Sequence, residues 1–124
     1  MTKLIDDYVG VFTQRSDHIK NAVNRCVEYW LPEQAPLILL FSTIGKVLVK
    51  QLDALNDDEK TFLFQHIEDG MCSNEDELAS AVATGLVESL VTASDGNDEL
   101  WKDIEQHLGS ESNKHAIAWK NFGQ

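Results

Sequence analysis

Cysteine and proline are scarce in this chain of 124 residues, with two of each. Cys26 and Cys72 form neither a CxxC pair nor a spaced metal-binding framework, and a chain of this length needs no disulfide to hold a core. We therefore expect free thiols in a reducing compartment. Residues 1–7 lead into no apolar segment typical of a signal peptide, and the apolar run at 36–41 is far shorter than the ~20 residues that span a bilayer. The prediction is a cytoplasmic protein.

Basic residues are also few. Ten Lys and Arg stand against 21 Asp and Glu, which gives a formal net charge of −11. A negative surface repels phosphate, so neither a bare nucleic acid nor an anionic membrane is expected as a partner. The hydrophobic share of 43% is nevertheless too high for a disordered acidic tail. Length and composition together predict a single folded domain over residues 1–124.

The sequence has no run typical of a β-strand. Nowhere do apolar and polar residues alternate over four or more positions with an enrichment of β-branched side chains. Apolar residues recur instead at steps of three and four, which is the spacing of an amphipathic helix. We therefore predict an all-α fold of five to seven helices, arranged as a compact antiparallel bundle or a short helical-hairpin array.

Local signals place the helix boundaries. Ser16 is a candidate N-cap that divides the first helical stretch, prolines 32 and 36 stop the second, and Asn56 with Glu59 forms a capping box. Gly70 is predicted to end the following helix as a left-handed cap. The predicted helices cover about 4–30 with that break, 36–55, 57–70, 75–92, 98–107 and 113–122. The helix near 75–92 is the candidate central helix, because its small residues would let a neighbouring backbone approach closely; they are Ala81, Gly85 and Ser89.

Charge is distributed unevenly along the chain. Residues 1–50 carry a net charge of +1 and residues 51–124 a net charge of −12, with acids concentrated where helices begin. One interpretation is that these acids only complement helix dipoles. The other is that they form a surface for a basic protein, because alternate helices of an antiparallel array begin at one end and some of their acid clusters should merge into one field.

Trp101 follows an acidic loop, so it is predicted as a binding anchor, with core packing as the alternative. The candidate partner-binding residues are Asp57, Asp58, Glu68, Asp69, Glu75, Asp76, Glu77, Asp95, Asp98, Glu99 and Trp101.

Motifs for catalysis are not found in the sequence. There is no GxSxG, no glycine-rich phosphate loop and no HExxH, and no two histidines lie three or four residues apart. Residues 95–99 begin like a calcium loop, but Leu100 and Gln106 occupy the positions that need Gly and Glu. Glu59, His66 and Asp69 are at most a partial metal set. We predict a protein that is not an enzyme and has no metal or cofactor.

Residues 30–108 resemble a small all-helical bacterial family of uncharacterised domains. Three segments carry the resemblance: Ile67-Glu68-Asp69-Gly70-Met71, Asn74-Glu75-Asp76-Glu77-Leu78 and Gly85-Leu86-Val87-Glu88-Ser89-Leu90. In size and acidity the chain is similar to the immunity proteins that neutralise polymorphic and contact-dependent bacterial toxins. The resemblance implies no catalytic residues.

The functional hypothesis is an acidic immunity-type protein that binds a basic toxin domain, a nuclease above all, as a monomer in a heterodimer. Two alternatives remain open. A helical adaptor or regulatory domain would bind a partner helix or peptide in an apolar groove, left by a surplus apolar face of residues 36–55 or 78–91. A small metal- or ligand-dependent enzyme is the other.

Overall fold

In the computed structural model, which describes residues 2–122, the chain forms seven helices joined by short connections. Their bounds are α1 Lys3–Arg15, α2 Asp17–Trp30, α3 Leu37–Gln51, α4 Asp57–Met71, α5 in three parts (Asp76–Ser80, Ala81–Val87 and Glu88–Ala93), α6 Asp98–His107 and α7 Ser110–Asn121. A 3₁₀ turn, Leu52–Ala54, follows α3. Within the described residues there is no strand, so the all-α prediction is confirmed.

The capping hydrogen bonds predicted at two helix starts are present in the structure. The Ser16 hydroxyl accepts a hydrogen bond of 3.2 Å from the Ile19 amide, which separates α2 from α1. At the start of α4, the Asn56 side chain accepts from the Glu59 amide at 2.8 Å, and the Glu59 carboxylate accepts from the Asn56 amide at 3.2 Å. Both devices satisfy amide groups that have no partner inside the helix.

The prediction of a left-handed cap at Gly70 is wrong. Helix α4 continues through Gly70 to Met71, and Gly96, at φ 81°, is the residue of 2–122 with a positive φ. A Cβ at Gly70 would overlap the Tyr8 phenol and lie 2.8 Å from a Val82 methyl carbon. Glycine stands at position 70 because two neighbouring side chains occupy the space of a Cβ.

The sequence predicts a continuous α-helix over residues 75–92, but helix α5 departs from α-helical geometry in its middle. Its middle part, Ala81–Val87, is a π-helix, and the Glu88 amide donates to the carbonyl oxygen of Ala83, five residues earlier. Such wide turns are rare in proteins. Here the wide turns coincide with a close contact between α3 and α5, at Gly85.

Helices α3 and α5 each contribute a glycine at which the other helix packs closely. A Cβ at Gly85 would lie 2.8 Å from the Ile38 carbonyl oxygen and 2.8 Å from the Phe41 Cβ. A Cβ at Gly45 would overlap the Ser89 hydroxyl. Since position 38 meets 85 and position 45 meets 89, the two helices run parallel. The predicted close approach at the small residues of α5 is therefore present.

Contacts between residues of neighbouring helices show that α1 and α4 run in opposite directions, whereas α4 and α6 run in the same direction, as do α5 and α7. The pairs are Tyr8 with Gly70 and Arg15 with Phe62 between α1 and α4, Lys60 with Asp103 and Phe64 with His107 between α4 and α6, and Glu88 with His115 and Thr92 with Trp119 between α5 and α7. The finish of α4 lies at the start of α7, where the Glu68 carboxylate accepts a hydrogen bond from the Glu111 amide. Helices α4 and α6 thus begin at one end of the bundle, called here the α4–α6 end. Helices α3, α5 and α7 begin at the opposite end, called the α3–α5 end.

The core lies between α1, α3, α4 and α5. The largest side chains with almost no exposure come from these helices, together with Ile19 of α2 and Leu52 of the 3₁₀ turn; those on the four helices are Ile5, Phe12, Leu40, Phe41, Ile44, Leu48, Leu63, Phe64, Ile67 and Leu86. None of the helices of residues 2–122 combines the length and the apolar character that a bilayer crossing requires.

We expect Gly85→Ala to lower the free energy of unfolding by roughly 1–3 kcal/mol, because the new methyl group would push against the backbone of α3. The control is Gly10→Ala in α1, where a Cβ would be 3.9 Å from its nearest neighbour, an ordinary contact. That change should be neutral or stabilise by up to ~1 kcal/mol. Urea unfolding of the two variants measures the difference, and equal stabilities would contradict the close approach of α3 and α5.

Candidate acidic docking surface

The eleven predicted site residues divide between the two ends of the bundle. Those at the α4–α6 end lie on the first turns of α4 and α6 or in the loop before α6; they are Asp57, Asp58, Asp95, Asp98, Glu99 and Trp101. The ion pair of Lys60 with Asp103, with Nζ and Oδ2 2.8 Å apart, holds the starts of these two helices together.

The remaining five lie at the α3–α5 end, where α4 finishes and α5 begins: Glu68, Asp69, Glu75, Asp76 and Glu77. Helix α4 has 15 residues, so the two groups are about 20 Å apart along its axis. That exceeds the Debye length of ~8 Å at physiological ionic strength. The starts of the alternate helices α4 and α6 lie at one end of the bundle, as expected, but the acids of residues 68–77 lie at the other end. The predicted carboxylates therefore form two separate fields, and they do not all converge on one.

Nine of the eleven residues are solvent-exposed carboxylates. Among the described residues, no Lys, Arg or His makes a salt bridge with any of the nine. One of them, Asp69, accepts a hydrogen bond from the Gln65 side-chain amide at 2.9 Å. Nine negative charges are therefore presented to solvent without internal neutralisation.

Glu68 has a different role, because its half-buried carboxylate caps another helix. It accepts hydrogen bonds from the amides of Glu111 and Ser112, both at 2.9 Å, and from the Ser112 hydroxyl at 2.8 Å. Partial burial alone would raise the pKa of Glu68, but these bonds and the nearby Cys72 thiol hold that pKa below its ordinary value. Glu68 thus fastens the start of α7 to α4 and is less available to a partner.

This capping also explains why α7 begins at Ser110, three residues before the predicted start. The residue at the N-cap position is Gly109, which has no side chain to accept a hydrogen bond. A Cβ there would lie 2.5 Å from the Glu68 side chain. The cap comes from 43 residues earlier in the chain, and local sequence rules do not detect such a cap.

Trp101 belongs to the core and is not a protruding anchor. Its side chain is 7% exposed, and the Lys120 ammonium lies 4.8 Å from the ring centroid. The ring points inward because it shares the buried face of α6 with Ile104, one turn away. The prediction that Trp101 is a binding anchor is corrected, and core packing, the alternative, describes this residue.

The described residues contain no group of three or more His, Cys, Asp and Glu side chains placed to hold a metal ion. Two members of the partial set have other contacts. The His66 Nε2 lies 3.0 Å from the Tyr8 carbonyl oxygen, its ring stacks on the Tyr8 ring at 3.9 Å between centroids, and burial lowers its pKa. The Glu59 carboxylate closes the capping box.

An apolar groove lies at the α3–α5 end, and among its lining residues only Glu77 was a predicted site residue. The groove has a volume of about 350 Å³ and lies between the start of α3 and the start of α5. Its lining residues are Gln34, Pro36, Leu37, Ile38, Glu77, Ser80 and Ala81. The sequence did carry a signal: the apolar run at 36–41 covers more than one face of a helix. Accordingly Ile38 and Leu39 remain 48% exposed while Leu40 and Phe41 are buried.

No Lys or Arg occurs between Lys60 and Lys102, a stretch that includes most of α4 and all of α5. Nine Asp and Glu fall within it. The connection from α2 to α3 is equally poor in bases, because none occurs between Arg25 and Lys46. Both segments that build the groove therefore belong to long stretches of sequence without Lys or Arg.

The chain matches no model of a protein family, no curated protein and no solved structure.

We expect Glu68→Gln to lower the free energy of unfolding by about 1–3 kcal/mol at pH 7, since hydrogen bonds to a charged acceptor are stronger than those to a neutral one. Folding lowers the pKa of Glu68, so its contribution is fully present above the ordinary value of 4.5 and disappears as the pH falls through the lowered value. Denaturant unfolding between pH 7 and pH 3 should therefore show wild type and variant converging in acid. The control is Glu105→Gln, because Glu105 is an exposed acid on α6. A constant gap between wild type and Glu68→Gln at every pH would contradict this role of the carboxylate.

Proposed function

We propose that this chain is an immunity-type binding protein, which neutralises a cationic bacterial toxin domain, a nuclease above all, by stoichiometric occlusion. The observation that carries the proposal is the set of nine exposed carboxylates without an internal ion pair. Two fields of unneutralised charge weaken the folded state through self-repulsion. A protein that binds a cationic partner gains from the same charges.

A nuclease fits this surface by its chemistry. An enzyme that binds polyphosphate substrates needs a basic groove, and such a groove is attracted to an acidic protein surface. Complementary charge raises association rates from about 10⁵–10⁶ M⁻¹s⁻¹ toward 10⁸–10⁹ M⁻¹s⁻¹ at low salt. For an inhibitor, fast capture matters because every free toxin molecule is active until it is bound. The acidic ends would supply the steering, and contacts within the interface would set the lifetime of the complex.

A helical adaptor that binds a partner helix or peptide is the second candidate, and one observation favours it. Ile38 and Leu39 leave apolar surface on α3 exposed beside a groove. By contrast, residues 78–91 of α5 are largely buried in the bundle. The two functions differ in salt dependence: an adaptor that binds mainly through apolar contact should keep its affinity at 0.5 M salt, whereas charge-steered association should slow markedly.

The direct test uses the protein whose gene lies immediately beside the gene of this chain. We expect expression of the C-terminal domain of that neighbouring protein alone to arrest growth, and co-expression with this chain to restore growth. The purified proteins should form a one-to-one complex in which nuclease activity disappears at one molar equivalent. A neighbouring protein that is harmless, or that does not bind this chain, would contradict the proposal.

Association kinetics with that domain test the acidic surface. Glu75, Asp76 and Glu77 changed together to Lys should slow association roughly tenfold or more at low salt, with a difference that shrinks as salt is added, since rim charges act mainly on the association rate. Stopped-flow fluorescence measures the rates, and far-UV circular dichroism checks the helices.

The matched control changes three exposed acids outside the predicted surface to Lys: Asp6, Asp17 and Glu28. It shifts the net charge by the same amount, so a general charge effect would slow both variants equally. Equal slowing would remove residues 75–77 from the interface.

A further inference from the structure

The groove at the α3–α5 end exists because small residues on α5 precede a close contact between the two helices. The α3 and α5 backbones touch where Gly85 meets Ile38. One turn earlier on α5, Ser80 and Ala81 have short side chains, and Pro36 holds the opposite wall just before α3. The space left between them is open to solvent.

Its dimensions suit side chains from another protein. A buried cavity of about 150 Å³ holds one benzene ring, so a groove of about 350 Å³ has room for roughly two apolar side chains. The half-exposed Ile38 forms part of the lining, and Leu39 extends the apolar surface next to it. The polar side chains of Gln34 and Glu77 stand among the apolar lining residues, so a partner segment in the groove would meet both kinds of surface.

The charges beside the groove select the partner. Glu77 lines the groove itself, and Glu75 and Asp76 lie immediately before it on the exposed start of α5. The nearest base on α3 is Lys46, eight residues and about 12 Å along the helix from Ile38. A partner segment that fills the groove therefore meets carboxylates, and it gains most if Lys or Arg flank its apolar residues.

We propose that this groove is the docking position for a cationic amphipathic segment of the partner, in which one or two apolar side chains occupy the groove and flanking Lys or Arg side chains pair with Asp76 and Glu77. The inference rests on the proposed function and names the part of the surface that determines the lifetime of the complex. The α4–α6 end then contributes long-range attraction.

The test uses three synthetic helical peptides of 14 residues and the isotope-labelled full chain. The first peptide carries Leu on one face and Lys on the other, the second replaces Leu by Ser, and the third replaces Lys by Glu. We expect the Leu/Lys peptide to shift the backbone amide resonances of residues 37–39 and 77–81. Its Kd should be at least tenfold lower than that of either other peptide.

Paired variants locate the binding. Ile38→Ser should raise the Kd of the Leu/Lys peptide about tenfold, while Leu4→Ser, at an equally exposed leucine on α1, should leave the Kd unchanged. Glu77→Gln should weaken binding more than Glu99→Gln, which removes the same charge at the opposite end. All four positions are exposed, so circular dichroism should show an intact fold.

Three outcomes would overturn the inference, and they separate it from the proposed function. If the Leu/Lys and Ser/Lys peptides bind equally at both ends, charge alone acts and the groove has no role, although a toxin-neutralising function could still be seen in co-expression. If the chain forms a dimer with Ile38 in the interface, shown by sedimentation equilibrium, a second copy occupies the groove. If no cationic peptide binds and co-expression gives no protection, both the groove and the function fail.

Discussion

The contact between α3 and α5 is the constraint on which the rest of this structure depends. Two glycines, Gly45 and Gly85, let the helices approach until backbone atoms touch, and the π-helical turns of α5 lie at the same place. Because the contact is parallel, both helices begin at the same end of the bundle. The connection between them must then cross back through α4, which brings the acids at the finish of α4 and the start of α5 to the end where α3 also begins. The groove lies at that end, one turn before the glycine contact.

The carboxylates of this chain have two different physical roles, although they look alike in the sequence. Glu68 and Asp103 hold helices together: the first accepts amide hydrogen bonds from α7, and the second pairs with Lys60 across α4 and α6. Both have lowered pKa values, because hydrogen bonds or a cation outweigh the cost of partial burial. The nine exposed acids of the predicted surface have no such ion pair within the described part of the chain, and these are the charges available to a partner.

An interface with a cationic protein needs two kinds of interaction that differ in range. Charge acts over about 10 Å and sets how often the partner arrives in a productive orientation, whereas desolvated apolar contact sets how long it stays. In this chain the two kinds meet at the α3–α5 end, where Glu77 and Ile38 line the same groove. The α4–α6 end has comparable charge, but Trp101, the residue predicted as its anchor, is inside the core. This difference distinguishes the two ends more clearly than charge does.

Local sequence signals determined the helical class, the break at Ser16, the capping box at Asn56 and the exposure of most of the acids, because each depends on residues within about four positions of one another. They did not determine the start of α7, the burial of Trp101, the role of Gly70 or the π-helical turns, because each of these depends on a neighbour from a distant part of the chain. The groove belongs to the second group. An apolar run at 36–41 indicates that α3 has more apolar surface than one face can bury, but only the parallel packing on α5 decides which part stays exposed and that Glu77 lies beside it.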